Sequence, residues 1–328
     1  MKKFRIRAIS KYLPGAPISH QQIERKAGIR EGWVVKNSGV VTRHFASKKD
    51  SIASMSAKVL DCNLDKSNLT FHDLDLLICA GATYDYPIPY NACMVKKEMK
   101  AFDAQFHCFD VDATCLSFIV GMDVALCMMN SKNIKKVAIT SAEISSRSLN
   151  PNDPKTQSLF GDAAVSMLIE EDPNGIEVLG SHFENHCEGA ELAMVPAGGN
   201  KLLGFDPEAQ PEDFYFHMQG KKLIKMTFAN LAKFLDRMEE ATGVNLHEYD
   251  FIIPHQASKF GNEYFIKKYR VNPDKVFQGL TDYGNCISTS VALGLETLYN
   301  SGKIKKGHKV LVVGTAAGLS LGGIALQF

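Results

Sequence analysis

The sequence predicts an α/β protein made of two related halves, on three observations. Strand-like and helix-like patterns alternate along the chain, short segments of the first half recur in order in the second, and a charged, turn-rich stretch separates them. The chain opens with Phe4-Arg5-Ile6-Arg7, an apolar/basic alternation with the period of a strand and not the continuous apolar run of a signal peptide. Asn130-Ser131-Lys132-Asn133-Ile134-Lys135-Lys136, followed by the apolar run 137–140, returns as Asn300-Ser301-Gly302-Lys303-Ile304-Lys305-Lys306 before 310–313, an offset of 170 positions. Residues 73–78 return as 248–253, offset by 175, and residues 163–169 return as 322–328. Glu170-Glu171-Asp172-Pro173-Asn174-Gly175 is the junction, so the halves are 1–172 and 173–328. No low-complexity linker lies between them, and the two copies are expected to pack as one body. Residues 310–328 carry no charge, but Gly314, Gly318, Gly322 and Gly323 divide them into strand, turn and terminal strand, against a membrane span.

Composition narrows the function. The 328 residues are 45% hydrophobic and 22% charged, an ordinary globular balance. Thirty-seven Lys+Arg against thirty-six Asp+Glu leave a net charge of +1, which gives no global pull toward nucleic acid or anionic membrane. The eight cysteines form no Cys-x-x-Cys pair, and a chain of this length does not need disulfide staples, so a reducing, cytoplasmic setting is expected.

One cysteine stands apart. The strand-like stretch 106–112 runs through Ala113-Thr114 into Cys115, and 116–129 is then apolar nearly all round, as in a helix buried inside a protein. That places Cys115 at a strand-to-helix junction, where the helix dipole and free amides favour a thiolate and are expected to lower the thiol pKa. An offset of 170 pairs Cys115 with Asn285, and the echo of residues 73–78 sets His255 at a strand end where the first half has Ala80. Ends of strands are where α/β sheets collect functional groups.

Asp112-Ala113-Thr114-Cys115-Leu116-Ser117-Phe118, Phe160-Gly161-Asp162-Ala163-Ala164, Pro254-His255-Gln256-Ala257, Tyr283-Gly284-Asn285 and Trp33 with Gly39-Val40-Val41-Thr42-Arg43-His44 span most of the chain. Together they resemble the signature segments of the β-ketoacyl-acyl-carrier-protein synthase III family, thiolase-like condensing enzymes of the Cys-His-Asn branch. The resemblance implies a duplicated αβαβα thiolase-like fold, a homodimer, an active site below a pantetheine tunnel, and acyl-CoA and a malonyl thioester on acyl carrier protein as substrates, with no cofactor or metal. It implies Cys115 as the acylated nucleophile and His255 and Asn285 as donors to the enolate oxygen. The oxyanion amides would come from Cys115 itself and the Ala317-Gly318 loop.

The resemblance also marks substrate positions and departures. Trp33 matches the tryptophan that stacks on the CoA adenine, while Asn37 and Lys155 stand where the family has arginines. Ser258 replaces an asparagine that touches pantetheine, and Ile88 stands where an aromatic side chain bounds the acyl pocket across the dimer. Lys225, Lys267 and Lys268 match a basic patch for the acidic carrier protein.

Other readings remain at this stage. An acyltransferase of the same fold would pass the acyl group to a different acceptor. The chain order Cys115, His255, Asn285 also fits a papain-like cysteine protease, in which His255 would deprotonate Cys115 and Asn285 would orient His255. The missing Cys-Gly-Ser-Cys context and the internal duplication speak against it. His182, His186 and Cys187 have zinc-like spacing only if helical, and the segment reads as strand or loop, so a surface histidine cluster is expected.

Overall fold

Among the described residues, nine strands of four or more residues carry the alternating pattern into two sheets. The computed structural model describes residues 3–131 and 133–328; Met1, Lys2 and Lys132, the last inside the first echo motif, lie outside the described residues. The first sheet contains β1 (Phe4–Tyr12), β2 (Leu76–Ala80), β3 (His107–Val111), β4 (Lys136–Glu143) and β5 (Ala163–Glu171), in the order β1-β5-β4-β2-β3. The second contains β6 (Glu177–Asn185), β7 (Phe251–Pro254), β8 (Lys309–Ala316) and β9 (Ser320–Gln327), in the order β7-β8-β9-β6.

The two orders are the same path. β2 runs parallel to β4 as β7 does to β8, β4 is antiparallel to β5 as β8 is to β9, and β1 is antiparallel to β5 as β6 is to β9. Where the first sheet adds β3, the second has a single parallel bridge from Ile252 to Val276. Residues 310–328, the uncharged tail of the sequence, are the β8–β9 hairpin turning at 317–319.

Strand periodicity then builds the layers. Along β2, Leu76, Ile78 and Ala80 face one core while Leu77 and Cys79 face another, and along β8 Val310 and Val312 are opposed to Leu311 and Val313. The inner faces of both sheets close on two central helices, α2 (Ser117–Ser131) and α5 (Thr289–Asn300). The outer faces are covered by α1 (Ile52–Ser67) on the first sheet, and by α3 (Gly220–Thr242) and α4 (Lys259–Tyr269) on the second. The result is five layers, αβαβα.

α2 is apolar on most sides because both sheets bury it: Phe118, Ile119, Met122, Leu126 and Met129 sit in the core shared by the halves. Exposing five such side chains at about 1.5–3 kcal/mol each would cancel a typical net stability of about 5–15 kcal/mol. The same apolar character makes 114–131 long and hydrophobic enough to cross a membrane on length and composition alone, but here it is a core helix. Close approach of each central helix to a strand depends on one glycine. A Cβ on Gly121 would lie 2.9 Å from Ala80 Cβ, and one on Gly294 only 2.4 Å from Ile253 Cγ2. Those glycines are 173 positions apart, as are the starts of β4 and β8.

Candidate active site

Cys115 lies in a tight 3-10 turn, Thr114–Leu116, between β3 and α2. Thr114 holds φ +52°, a left-handed conformation rare for a β-branched residue, and local hydrogen bonds hold it there. Its amide donates to Asp112 Oδ1 at 2.8 Å, and Ser117 Oγ accepts from the Ala113 amide at 2.9 Å while donating to the Thr114 carbonyl at 2.6 Å. The turn presents Cys115 at the mouth of α2, partly buried.

The thiol is not acidified there. Burial, reinforced by the negative charge of Glu143, pushes it up to about 12, although the backbone amides of Ala317 and of Cys115 itself act on it in the opposite direction. This corrects the expectation drawn from the helix start: desolvation of a thiolate outweighs the dipole of one helix end. The Ala317 amide is the one that reaches the sulfur, while Gly318, at φ +98°, supplies the left-handed turn of the β8–β9 hairpin.

His255 follows the last residue of β7, its amide donating to the Val313 carbonyl of β8 at 2.8 Å. β8 passes between the histidine and the nucleophile's turn at Gly314, where an added Cβ would sit 3.0 Å from His255 Cβ and 3.1 Å from Leu116 Cδ2. The ring is 5% exposed, and burial alone pushes its pKa down to about 4. Among the described residues its buried Nδ1 has no hydrogen-bond partner. The next residue, Gln256, ties the strand end to a loop of the same half: its Nε2 donates to the Pro254 carbonyl at 2.7 Å, and its Oε1 accepts from the Gly279 and Leu280 amides at 3.1 and 3.0 Å.

Asn285 is set by the first half. Its amide donates to the Leu159 carbonyl at 2.8 Å, and its carbonyl accepts from the Gly161 amide at 3.0 Å. Asp162, fully buried, holds that loop by accepting from the Ala46 and Ser146 amides at 2.7 and 2.9 Å. Asn285 Oδ1 accepts from the Ile287 amide at 2.9 Å, so the side-chain NH2 is the free end. Since Oδ1 is engaged with Ile287 and His255 Nδ1 has no partner, Asn285 does not orient the histidine as a protease triad requires.

The second half repeats the nucleophile's turn, at a different register from the one the echo offset suggests. Cys286 donates its amide to Ser290 Oγ at 2.9 Å, and Ile287 holds φ +48°. These match Ala113, Ser117 and Thr114 at an offset of 173, which pairs Cys115 with Ser288 and not with Asn285. Adding 170 missed because the connections differ in length between the halves.

An apolar cavity of about 120 Å³ lies between α3 and α4 beside the ends of β7 and β8. His255 forms part of its wall with Ser258, Thr315, Phe228, Leu235 and Phe265. Ser258 caps α4, its Oγ accepting from the Gly261 amide at 3.0 Å. Trp33 starts the short helix Trp33–Ser38, and Asn37 Nδ2 donates back to the Trp33 carbonyl at 2.7 Å. Lys155 is exposed on the helix Pro154–Gln157, and Ile88 is 87% exposed in the 81–90 loop beside Tyr84, Tyr86 and Tyr90. Lys225 on α3 and Lys267 and Lys268 in the last turn of α4 are exposed, on helices joined by the stacked rings of Phe228 and Tyr264.

His182 and His186 both pair with Glu184 on β6, and among the described residues no group of three His, Cys, Asp or Glu side chains is placed to hold a metal. Glu143 and Ser288 had no role in the sequence reading. Glu143 closes the apolar strand β4, is 0% exposed, and is raised to about 7 by burial against four hydrogen bonds. A lone acid ending an apolar run was the available signal.

Two sheets of the same topology sharing two central helices, with Cys115 on one strand-to-helix turn and His255 across Gly314 from that turn, define a thiolase-like, acyl-transferring condensing enzyme. Two family models match the chain, "3-Oxoacyl-[acyl-carrier-protein (ACP)] synthase III" over residues 109–187 and its C-terminal counterpart over 239–328. The chain belongs to the β-ketoacyl-acyl-carrier-protein synthase III family. It is 30% identical over 318 residues to the β-ketoacyl-[acyl-carrier-protein] synthase III of Clostridium botulinum strain Okra, covering 96% of this chain and 95% of that one. The Clostridioides difficile enzyme of the same name is 28% identical over 98% of both chains. The crystal structure of 3-oxoacyl-[acyl-carrier-protein] synthase III from Aquifex aeolicus VF5 superposes with a TM-score of 0.88 at 26% identity, covering 99% of this chain and 100% of that one.

Proposed function

We propose that the protein joins an acyl primer, delivered as acyl-CoA, to a malonyl thioester on acyl carrier protein, with loss of CO2. The observation that carries this reading is Cys115 at the head of a buried central helix, with His255, buried and neutral, across Gly314 from the same turn. In the first step the Cys115 sulfur bonds to the acyl carbon, the carbon–CoA bond breaks, and the thiol proton ends on the CoA sulfur. The Cys115 and Ala317 amides hold the oxyanion, each such donor being worth roughly 3 kcal/mol. Because reactants and products are both neutral, the high thiol pKa costs nothing at the end points.

In the second step the malonyl C–CO2 bond breaks and its electron pair moves onto the thioester oxygen. His255, through Nε2–H, and Asn285, through Nδ2–H, donate to that oxygen. The enolate carbon then attacks the acyl-cysteine carbonyl carbon, the carbon–sulfur bond to Cys115 breaks, and the departing thiolate takes a proton from water. A histidine held at about 4 remains a neutral donor at physiological pH and does not quench the carbanion as an imidazolium would.

The remaining assignments rest on the family pattern and on exposure. Trp33 and Lys155 would meet the CoA nucleotide, Ser258 the pantetheine arm, and Lys225, Lys267 and Lys268 the acidic carrier protein. The aromatic 81–90 loop, with Ile88 at its tip, suits a homodimer contact that bounds the acyl pocket. Eight free cysteines fit a reducing cytoplasm. The test is intact mass after incubation with a panel of acyl-CoAs. A single acyl adduct that disappears in Cys115→Ala is expected; no adduct with any donor would overturn the reading.

A further inference from the structure

Ser288 occupies in the second half the corner that Cys115 occupies in the first, and it is fully buried. Its hydroxyl lies 2.7 Å from Glu143 Oε1 and 2.8 Å from Ser141 Oγ, and Ser141 Oγ lies 2.9 Å from Thr289 Oγ1. Ser288 Oγ donates to Glu143 Oε1, so with the carboxyl ionised the chain of hydroxyls runs Thr289 to Ser141 to Ser288 and ends on Glu143. Glu143 also accepts from the Ala82 and Thr83 amides at 2.9 and 3.0 Å and from Thr83 Oγ1 at 2.6 Å, and among the described residues it makes no ion pair. One carboxylate therefore binds the end of β4, the segment after β2 and the start of α5, which belong to different halves. The residue before Ser288 is left-handed Ile287, whose amide holds Asn285 Oδ1.

We propose that Glu143 is a positioning residue for the decarboxylation step. It anchors Ser288, and through Ser288 the Ile287 turn that aims the Asn285 NH2 at the thioester oxygen. A glutamine at this site keeps the shape but presents an NH2 to one pair of the four donors, so it cannot accept them all. An aspartate is one methylene too short to reach across.

This inference rests on the role given to Asn285, and the experiment separates the two. Glu143→Gln, Ser288→Ala, Asn285→Ala and the Glu143→Gln/Asn285→Ala double variant are compared in two partial reactions: acyl-adduct formation from acyl-CoA, and CO2 release from the malonyl thioester. Glu143→Gln is expected to slow decarboxylation by about ten- to a hundredfold. Acylation should stay unchanged or quicken, since the charge opposing Cys115 ionisation is gone. The double variant should decarboxylate no more slowly than Asn285→Ala. Equal loss of both partial reactions, or full multiplication of the two defects, would overturn the proposal. If Glu143→Gln does not fold, Ser288→Ala, which removes only one hydroxyl, must show the same split or the proposal fails. Unimpaired decarboxylation in Asn285→Ala would instead overturn the role of Asn285 itself.

Discussion

Cys115 and Ser288 sit at the same corner of two copies of one design, each after a left-handed residue and before a central helix. What surrounds them differs at the strand ends. Beside Cys115, β7 is followed by His255 and the β8–β9 turn offers the Ala317 amide. Beside Ser288, β2 ends in Ala80, whose carbonyl lies 3.2 Å from the serine hydroxyl, and β4 ends in Glu143. The site leaves polar groups unspent: among the described residues His255 Nδ1 has no partner and the Asn285 NH2 makes no hydrogen bond. The second corner spends all of its own on one another. A duplicated fold can thus keep one corner for reaction and use the other as the fixed frame against which it is held.

The largest test of that contrast exchanges the nucleophile. Cys115→Ala should abolish the acyl adduct, and adding Ser288→Cys should not restore it, because that corner is closed and faces a carboxylate; an adduct at position 288, found by peptide mass mapping, would erase the distinction. Next, His255→Ala and Asn285→Ala should each lower malonyl decarboxylation by about 10²–10³-fold while acylation persists, as expected for a lost donor to a developing oxyanion. A smaller effect follows from pH. With the thiol raised to about 12, alkylation of Cys115 by iodoacetamide should climb about tenfold per pH unit from 7 to 10, where an acidified cysteine would level off. With Glu143 raised to about 7 and His255 lowered to about 4, decarboxylation by the pre-acylated enzyme should fall as pH drops through 7 and Glu143 takes a proton, while Glu143→Gln should show no such step and no loss from histidine protonation down to pH 5. Smallest, Gly294→Ala should lower thermal stability more than Gly121→Ala, because its Cβ meets Ile253 at 2.4 Å and not Ala80 at 2.9 Å; overpacking of this kind costs about 1–3 kcal/mol. A reversed order in a melting experiment would show that the two helices do not pack alike.

Much of this was legible in the chain. The echoes led to two α/β halves because strand patterns and the turns before them are local, and a duplicated sheet repeats them. Cys115, His255 and Asn285 stood out because each ends a strand or opens a helix within a few residues of a recognisable motif. The Ser288 corner did not, since Ser288 meets its partners Glu143, Ser141 and the Ala80 carbonyl only after the halves dock. The acidity of Cys115 was misjudged for a related reason: the helix start is a local feature, whereas the burial that overrides it is made by distant strands. Register failed where connections differ in length, so that a single offset could not serve both the strands and the turns between them.

The central helix α2 has a consequence for synthesis. Residues 3–171 complete the first sheet and α2, but the second covering of that helix comes from strands not yet made. At about 5–20 residues per second, residues 172–327, which end with β9, take roughly 8–30 s to translate. For that interval the nascent chain carries a sticky, lipid-like flank, a target for holding chaperones that disappears only when β8 and β9 leave the ribosome.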